Sequence, residues 1–230
     1  MSDLKRYAKI TTVMPREFVL LQGTGCRWGK CTFCDYYLDK NINPISVNKE
    51  VLSHVTGEFG VLDVIDSGSC FELDEATFKL IKEICDAKGI HTIWFETHYM
   101  YRAYLDKLRA YFDKQKLYFR CGAETFDVKM RNKWNKGIKD EVDAKKMAED
   151  FNGICLLVGV EGQTKEQILN DLALAKKYFD YYSVNLFCNN STSVKRDEAL
   201  AKWFIEEVAP TLEGLKGCEV LIDNTDLGVG

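Results

Sequence analysis

The sequence predicts an α/β fold: a partial, TIM-like (β/α)6 barrel with parallel strands, open on one side. Three observations carry this. Apolar runs alternate with helical patterns almost to the end of the chain. Several of those runs are continuous and rich in Val, Ile and aromatics, as strands buried on both faces are. The helical patterns between them have readable ends. Repeated β-then-α units imply a parallel sheet with right-handed crossovers.

In chain order, the strands are read at 18–21, 61–65, 92–95, 117–119, 154–158, 182–187 and 220–222. Asp74 is placed to cap a helix whose Phe78, Ile81 and Cys85 share a face and which Gly89 ends. Thr164 with Gln167 forms a capping box ahead of the stripe Ile168, Leu172 and Ala175. Asp197 caps a helix carrying Leu200, Phe204 and Val208, with Pro210 expected to stop it. Weaker helical patterns cover 47–55, 102–112 and 140–150.

A chain of 230 residues with 46% apolar content is long enough for one domain, read as spanning 1–230 with a last strand and tail from about residue 211. Thirty-one basic against 35 acidic residues, net −4, give no basic surface for nucleic acid, and none is expected as a partner. The N-terminus, Met1-Ser2-Asp3-Leu4-Lys5-Arg6, is polar, and no apolar run approaches a membrane span. The expected location is cytoplasmic. Nine cysteines there imply reduced thiols and metal binding rather than a disulfide framework.

The stretch that organises the chain is Gly23-Thr24-Gly25-Cys26-Arg27-Trp28-Gly29-Lys30-Cys31-Thr32-Phe33-Cys34-Asp35, directly after the first of these strands. Its spacing is C-x4-C-x2-C. Thiolates are soft ligands that select zinc, copper(I) or iron–sulfur clusters. A closed zinc site wants four protein ligands and an ordinary cubane four cysteines. Three cysteines therefore point to a cluster with one iron open. Zinc with a distant fourth ligand, and a redox pair at Cys31 and Cys34, are the other readings of the same residues. Cys70, Cys85, Cys121, Cys155, Cys188 and Cys218 show no ligand spacing and read as small buried hydrophobes.

The run GCRWGKCTFCDYY after a first strand resembles the cluster loop of radical S-adenosylmethionine (SAM) enzymes. The resemblance implies that Cys26, Cys31 and Cys34 hold a [4Fe-4S] cluster, that SAM chelates its fourth iron, and that Phe33 lies near the adenine. An electron from the cluster then yields a 5′-deoxyadenosyl radical. The first spacing is one residue longer than the commonest family pattern, which a glycine-rich loop can absorb.

Chemistry in α/β barrels sits at the C-terminal ends of the strands. Asp66-Ser67-Gly68-Ser69 is similar to the family segment whose backbone binds the methionine amino group; its other reading is a plain turn. Glu96, His98 and Tyr99 stand at the mouth of the third strand, where they can meet substrate, although a lone His is more often structural. Cys121-Gly122-Ala123-Glu124-Thr125-Phe126-Asp127 resembles the family's G-x-E-T/S-F-D stretch, which implies that Glu124 contacts SAM; its other reading is a capping or salt-bridge role. Gly159-Val160-Glu161-Gly162-Gln163-Thr164 is similar to the strand-five segment in which an apolar residue, here Val160, touches adenine. Asn185 and Asn189 offer paired donors and acceptors to a heterocycle or ribose. The basic segment 129–139 with Trp134 reads as a solvated, helix-like connection. The tail 223–230 either closes over the barrel's open side or frays.

Within the superfamily the compact chain most resembles the bacterial queuine lyase subgroup of queuosine-precursor salvage. That resemblance implies a carbon–nitrogen lyase converting queuine to 7-aminomethyl-7-deazaguanine, supplied with electrons by a reductant such as flavodoxin or ferredoxin. Asp66 and Glu96 would read the guanine-like edge, with Tyr99 or Phe187 stacking on the base. The competing readings are a radical enzyme for another small metabolite, a glycyl-radical activase, and a zinc-stabilised binding module.

Overall fold

The computed structural model describes residues 4–229, so Met1–Asp3 of the polar N-terminus and the terminal Gly230 of the tail lie outside the described residues. Eight strands follow chain order in one sheet: β1 (Tyr7–Ile10), β2 (Arg16–Leu21), β3 (Val61–Asp66), β4 (Thr92–Thr97), β5 (Lys116–Glu124), β6 (Gly153–Val158), β7 (Tyr181–Leu186) and β8 (Cys218–Leu221). The sheet is mostly parallel, and β1 pairs antiparallel with β2. The seven expected strands are all present. The expectation of purely parallel strands is corrected by β1, a short edge strand with alternating exposure that carries no continuous apolar run.

The described helices are α1 (Ile45–Ser53), α2 (Glu75–Lys88), α3 (Leu105–Tyr111), α4 (Val128–Lys133), α5 (Ala144–Ala148), α6 (Lys165–Tyr178), α7 (Glu198–Trp203) and α8 (Ala209–Leu212). Their ends follow the local chemistry. Asp74 accepts from the Thr77 N–H at 2.6 Å, and Gly89 closes α2 at φ +67°. Thr164 and Gln167 complete the capping box of α6. Pro210 does not stop the helix that Asp197 caps. The chain passes through a π-helical turn, Phe204–Val208, and Pro210 sits in the first turn of α8. A proline is tolerated there because its missing N–H would have had no helical partner.

The chain divides into two compact units. One holds residues up to Gly29, Tyr36–Phe119 and the chain from Leu227; the other holds Lys30–Asp35 and Arg120–Asp226. In the first unit, Phe18, Val19, Leu21, Leu62 and Val64 are all buried. Leu227 and Val229 pack with Ala8, Ile10 and Phe18, so that end of the chain is docked on β1 and β2. Deep in the same unit Arg16 Nε donates to Asp63 at 2.8 Å, with both side chains fully buried. In the second unit all six residues of β6 are buried. Among the described residues no helix is long and apolar enough to cross a membrane.

Candidate active site

In the first unit the functional residues gather where β2, β3 and β4 end. The turn carrying Cys26 is fastened to the segment after β3. The Thr24 N–H donates to the Glu72 carbonyl at 3.0 Å, and the Arg27 N–H donates to Glu72 Oε1 at 2.8 Å. The Tyr101 hydroxyl donates to the same carboxylate oxygen at 2.9 Å. The Gly29 N–H donates to Cys26 Sγ at 3.3 Å. Gly68 permits the approach: a Cβ there would stand 2.9 Å from Cys26 Cα and 2.5 Å from Glu72 Oε2. The hydroxyls of the Ser-Gly-Ser segment are engaged within the unit. Ser67 donates to Asp39 at 2.9 Å, and Ser69 is bonded to Thr97. The segment's backbone is what it can offer a cofactor.

Asp66 ends β3 with both carboxylate oxygens buried. The N–H groups of Gly68 and Ser69 act on it without closing a well-formed hydrogen bond. Burial first, then the charges of Glu72 and Glu96, raise its pKa well above the ordinary carboxylate range. Burial likewise raises Glu72, against the opposing hydrogen bonds from Arg27 and Tyr101. Asp66 and Glu96, singled out together from the sequence, are within electrostatic reach of each other. Glu72 completes the trio and escapes the sequence reading, because nothing in the local pattern of a 3₁₀ turn marks a carboxylate as buried. A pocket of about 550 Å³ opens here, lined in part by Cys26, Arg27, Lys40, Phe71, Glu72 and Tyr101. His98 stands at the start of the turn after β4. Its Nδ1 caps the turn Tyr99–Tyr104 by accepting from the Met100 N–H at 3.1 Å, and its ring stacks on Trp28 at 5.8 Å. Tyr99 is buried with the Arg102 guanidinium 5.0 Å from its ring centre.

In the second unit Phe33, Val160 and Phe187, each named from a different motif, pack in one apolar cluster with Met130, Trp134 and Leu157. Cys31 and Cys34 lie against it. The second half of the cysteine loop is held by several bonds. The Thr32 N–H donates to the Trp134 carbonyl at 3.1 Å, and the Asn135 amide donates to the Lys30 carbonyl at 3.0 Å. Asn190 donates to the Phe33 carbonyl at 2.7 Å. The expectation of a solvated connection over 129–139 is therefore corrected. Trp134 is 1% exposed and packs edge-on to Phe33, with ring centres 5.4 Å apart. Arg131 is fully buried, donating to the carbonyls of Val142 and Lys139. Lys136 is buried as well.

Glu124 ends β5 at φ +69°, where the register against β6 shifts by a bulge. A left-handed non-glycine residue costs on the order of 1–3 kcal/mol and survives only where its surroundings hold it. Lys136 Nζ donates to Glu124 Oε1 at 2.9 Å. The turn that follows is pinned by Asp171, which accepts from the Thr125 hydroxyl at 2.6 Å and the Phe126 N–H at 2.9 Å. Val160 is fixed through Gln163, whose Oε1 accepts from the Val160 N–H and whose amide donates to the Leu157 carbonyl, both at 2.9 Å. The Asn185 amide donates to the Leu156 carbonyl at 3.1 Å, and Asn189 Oδ1 accepts from the Arg196 N–H at 2.8 Å. Each therefore has part of its amide engaged within the protein.

Among the described residues no group of three or more His, Cys, Asp or Glu side chains is gathered as a metal site. The donor chemistry nevertheless suits an iron–sulfur cluster. Cys26, Cys31 and Cys34 are half-buried, whereas five of the other six cysteines are buried. Backbone N–H donation to Cys26 Sγ is the kind of contact that stabilises a thiolate ligand.

No protein-family model matches the chain, and no curated protein matches it. A solved structure of queuine lyase from Clostridium spiroforme, bound to SAM and queuine, is 42% identical in sequence with a TM-score of 0.94. The match covers 99% of this chain and 100% of that one. At that identity and coverage the chain belongs to the queuine lyase family of radical SAM enzymes.

Proposed function

We propose that this chain is a carbon–nitrogen lyase that converts queuine to 7-aminomethyl-7-deazaguanine in the cytoplasm, feeding queuosine salvage, with flavodoxin or ferredoxin as reductant. The observation that carries the reading is the full-length likeness to a queuine lyase bound to SAM and queuine. The whole chain acts as one catalytic domain with a (β/α)6 partial barrel open on one side. Cys26, Cys31 and Cys34 hold a [4Fe-4S] cluster. When bound, cluster and SAM would supply the 5′-deoxyadenosyl radical, the chemistry for hydrogen abstraction from the cyclopentenediol.

The protein's part is to bind, orient and exclude water. The backbone of Ser67, Gly68 and Ser69 and the carboxylate of Glu124 receive the amino acid and ribose parts of SAM. Phe33 and Val160 flank its adenine, with Asn185 beside them. Asp66 and Glu96 read the substrate's amino and ring N–H donors. The raised pKa of Asp66 supports this role: a buried carboxyl without a counterion gains most when a donor-rich or cationic ligand arrives. Tyr99, Phe187, His98 and Asn189 complete the substrate's surroundings, with His98 acting through the turn it caps.

The test is anaerobic. The protein is reconstituted with iron and sulfide, its iron content measured, and the reduced sample incubated with SAM and queuine. Formation of both 5′-deoxyadenosine and 7-aminomethyl-7-deazaguanine is the expected result. Deoxyadenosine without the deazaguanine product would overturn the substrate, and a colourless protein holding zinc would overturn the radical chemistry.

A further inference from the structure

Lys136 lies in the basic segment 129–139, yet it is buried against Glu124 and Phe33 in the second unit. Its ammonium donates to Glu124 at 2.9 Å, and the two side chains are 9% and 13% exposed. It lies 5.7 Å from the centre of the Phe33 ring, and the Cys31 thiol is near enough to act on it electrostatically. Its backbone is fixed in the turn that also clamps the cysteine loop, through the Trp134 carbonyl, the Asn135 amide and its own N–H donated to the Arg131 carbonyl at 3.1 Å. Glu124, its partner, is held in a left-handed conformation at a bulge, and such devices re-aim a side chain.

We infer that Lys136 is a positioning residue for the cofactors, holding the Glu124 carboxylate toward SAM and laying a fixed positive charge beside the cluster ligand Cys31. The inference rests on Cys31 being a cluster ligand. Two consequences follow from the geometry. Without Lys136, Glu124 loses the partner that holds its carboxylate, so SAM affinity falls although Lys136 itself need not touch SAM. A fixed cation near a thiolate ligand also favours the more reduced, more negative cluster. The ion pair with the Glu124 carboxylate keeps the ammonium charged.

The experiment measures cluster midpoint potential and SAM affinity in the reconstituted protein and its variants. Lys136→Met should lower the potential, Glu124→Gln should raise it, and each should weaken SAM binding at least tenfold. Lys136→Arg keeps the charge and should restore the potential. Removing one member of a buried pair can prevent folding, so the double variant Lys136→Met with Glu124→Gln, which leaves no orphan charge, supplies a second reading. Its potential should return toward that of the unaltered protein while its SAM affinity stays low. A merely structural pair predicts lowered melting temperatures with no opposed shifts. Equal potentials in the two single variants, shifts of the same sign, or full SAM affinity in the double variant would each overturn the inference. None of these measurements uses queuine. An unaltered protein that takes up iron and binds SAM but leaves queuine intact removes the proposed substrate and leaves this inference standing; one that takes up no iron removes both.

Discussion

Strand β3 carries two aspartates with buried carboxylates three residues apart, and they are treated in opposite ways. Asp63 is fully buried against Arg16, whose Nε donates to it at 2.8 Å. Asp66, at the strand's C-terminal end, has burial and the charges of Glu72 and Glu96 raising its pKa against the weaker pull of the Gly68 and Ser69 N–H groups, with no well-formed hydrogen bond closed on its oxygens. The second unit repeats the first solution at its own strand end, where Lys136 matches Glu124. A buried pair completes itself and holds geometry. An unmatched buried carboxylate is costly on its own, and the cost is recovered when a ligand supplies the donors. The difference separates residues that position from residues that bind, and substitutions on either side of it can test the division.

The largest effect is expected on the positioning side. Trp134→Ala removes a side chain that is 1% exposed and packed on Phe33. The loss of stability should be about 3–5 kcal/mol, read from denaturant melts. A loss below about 1 kcal/mol would mean that the turn at 134–136 is not packed as described and would remove its claim to hold the cysteine loop. On the binding side, Asp66→Asn keeps the shape and removes the charge. For a carboxylate that meets a cationic or donor-rich ligand, kcat/KM for queuine should fall about 100-fold, while the unliganded protein at pH 8 melts no lower than before. The reverse pattern, unchanged kinetics with a lowered melt, would place Asp66 with Asp63 as a structural residue.

How far the sequence reaches follows the same division. The seven main strands are legible because strands covered on both faces are continuous apolar runs, as the wholly buried Gly153–Val158 shows. The caps at Asp74, Thr164 and Asp197 are legible because each is a local bond between side chain and backbone. β1 is not, since Tyr7–Ile10 is short and half-exposed. Phe33, Val160 and Phe187 come from three separate motifs and meet in one cluster. Glu72 and Lys136 escape because burial of a charged residue is decided by tertiary partners: Tyr101 and the Arg27 N–H for one, Glu124 for the other. In a pattern of residue types both look like solvated surface. The same holds for Arg131, whose guanidinium donates to two carbonyls inside what reads as a basic connection.

The smallest expected effect falls between the two classes. Asp171 is a positioning carboxylate with two hydrogen bonds, yet burial, its largest influence, still raises its pKa to about 6. Folded protein then binds a proton that the unfolded chain, with a carboxyl near its ordinary value, releases. The stability from that proton is fully present below about pH 4 and is lost as the pH rises through about 6. With roughly 1.4 kcal/mol for each pH unit, the loss should be about 2 kcal/mol between about pH 4 and pH 7. Asp171→Asn can still accept from the Phe126 N–H and can donate to the Thr125 hydroxyl, so it should fold and lose this part of the pH dependence. Paired melts of the two proteins across that range decide the matter. If their difference in stability stays constant with pH, Asp171 is ionised in the folded protein, and its two hydrogen bonds suffice to hold a buried carboxylate in that form.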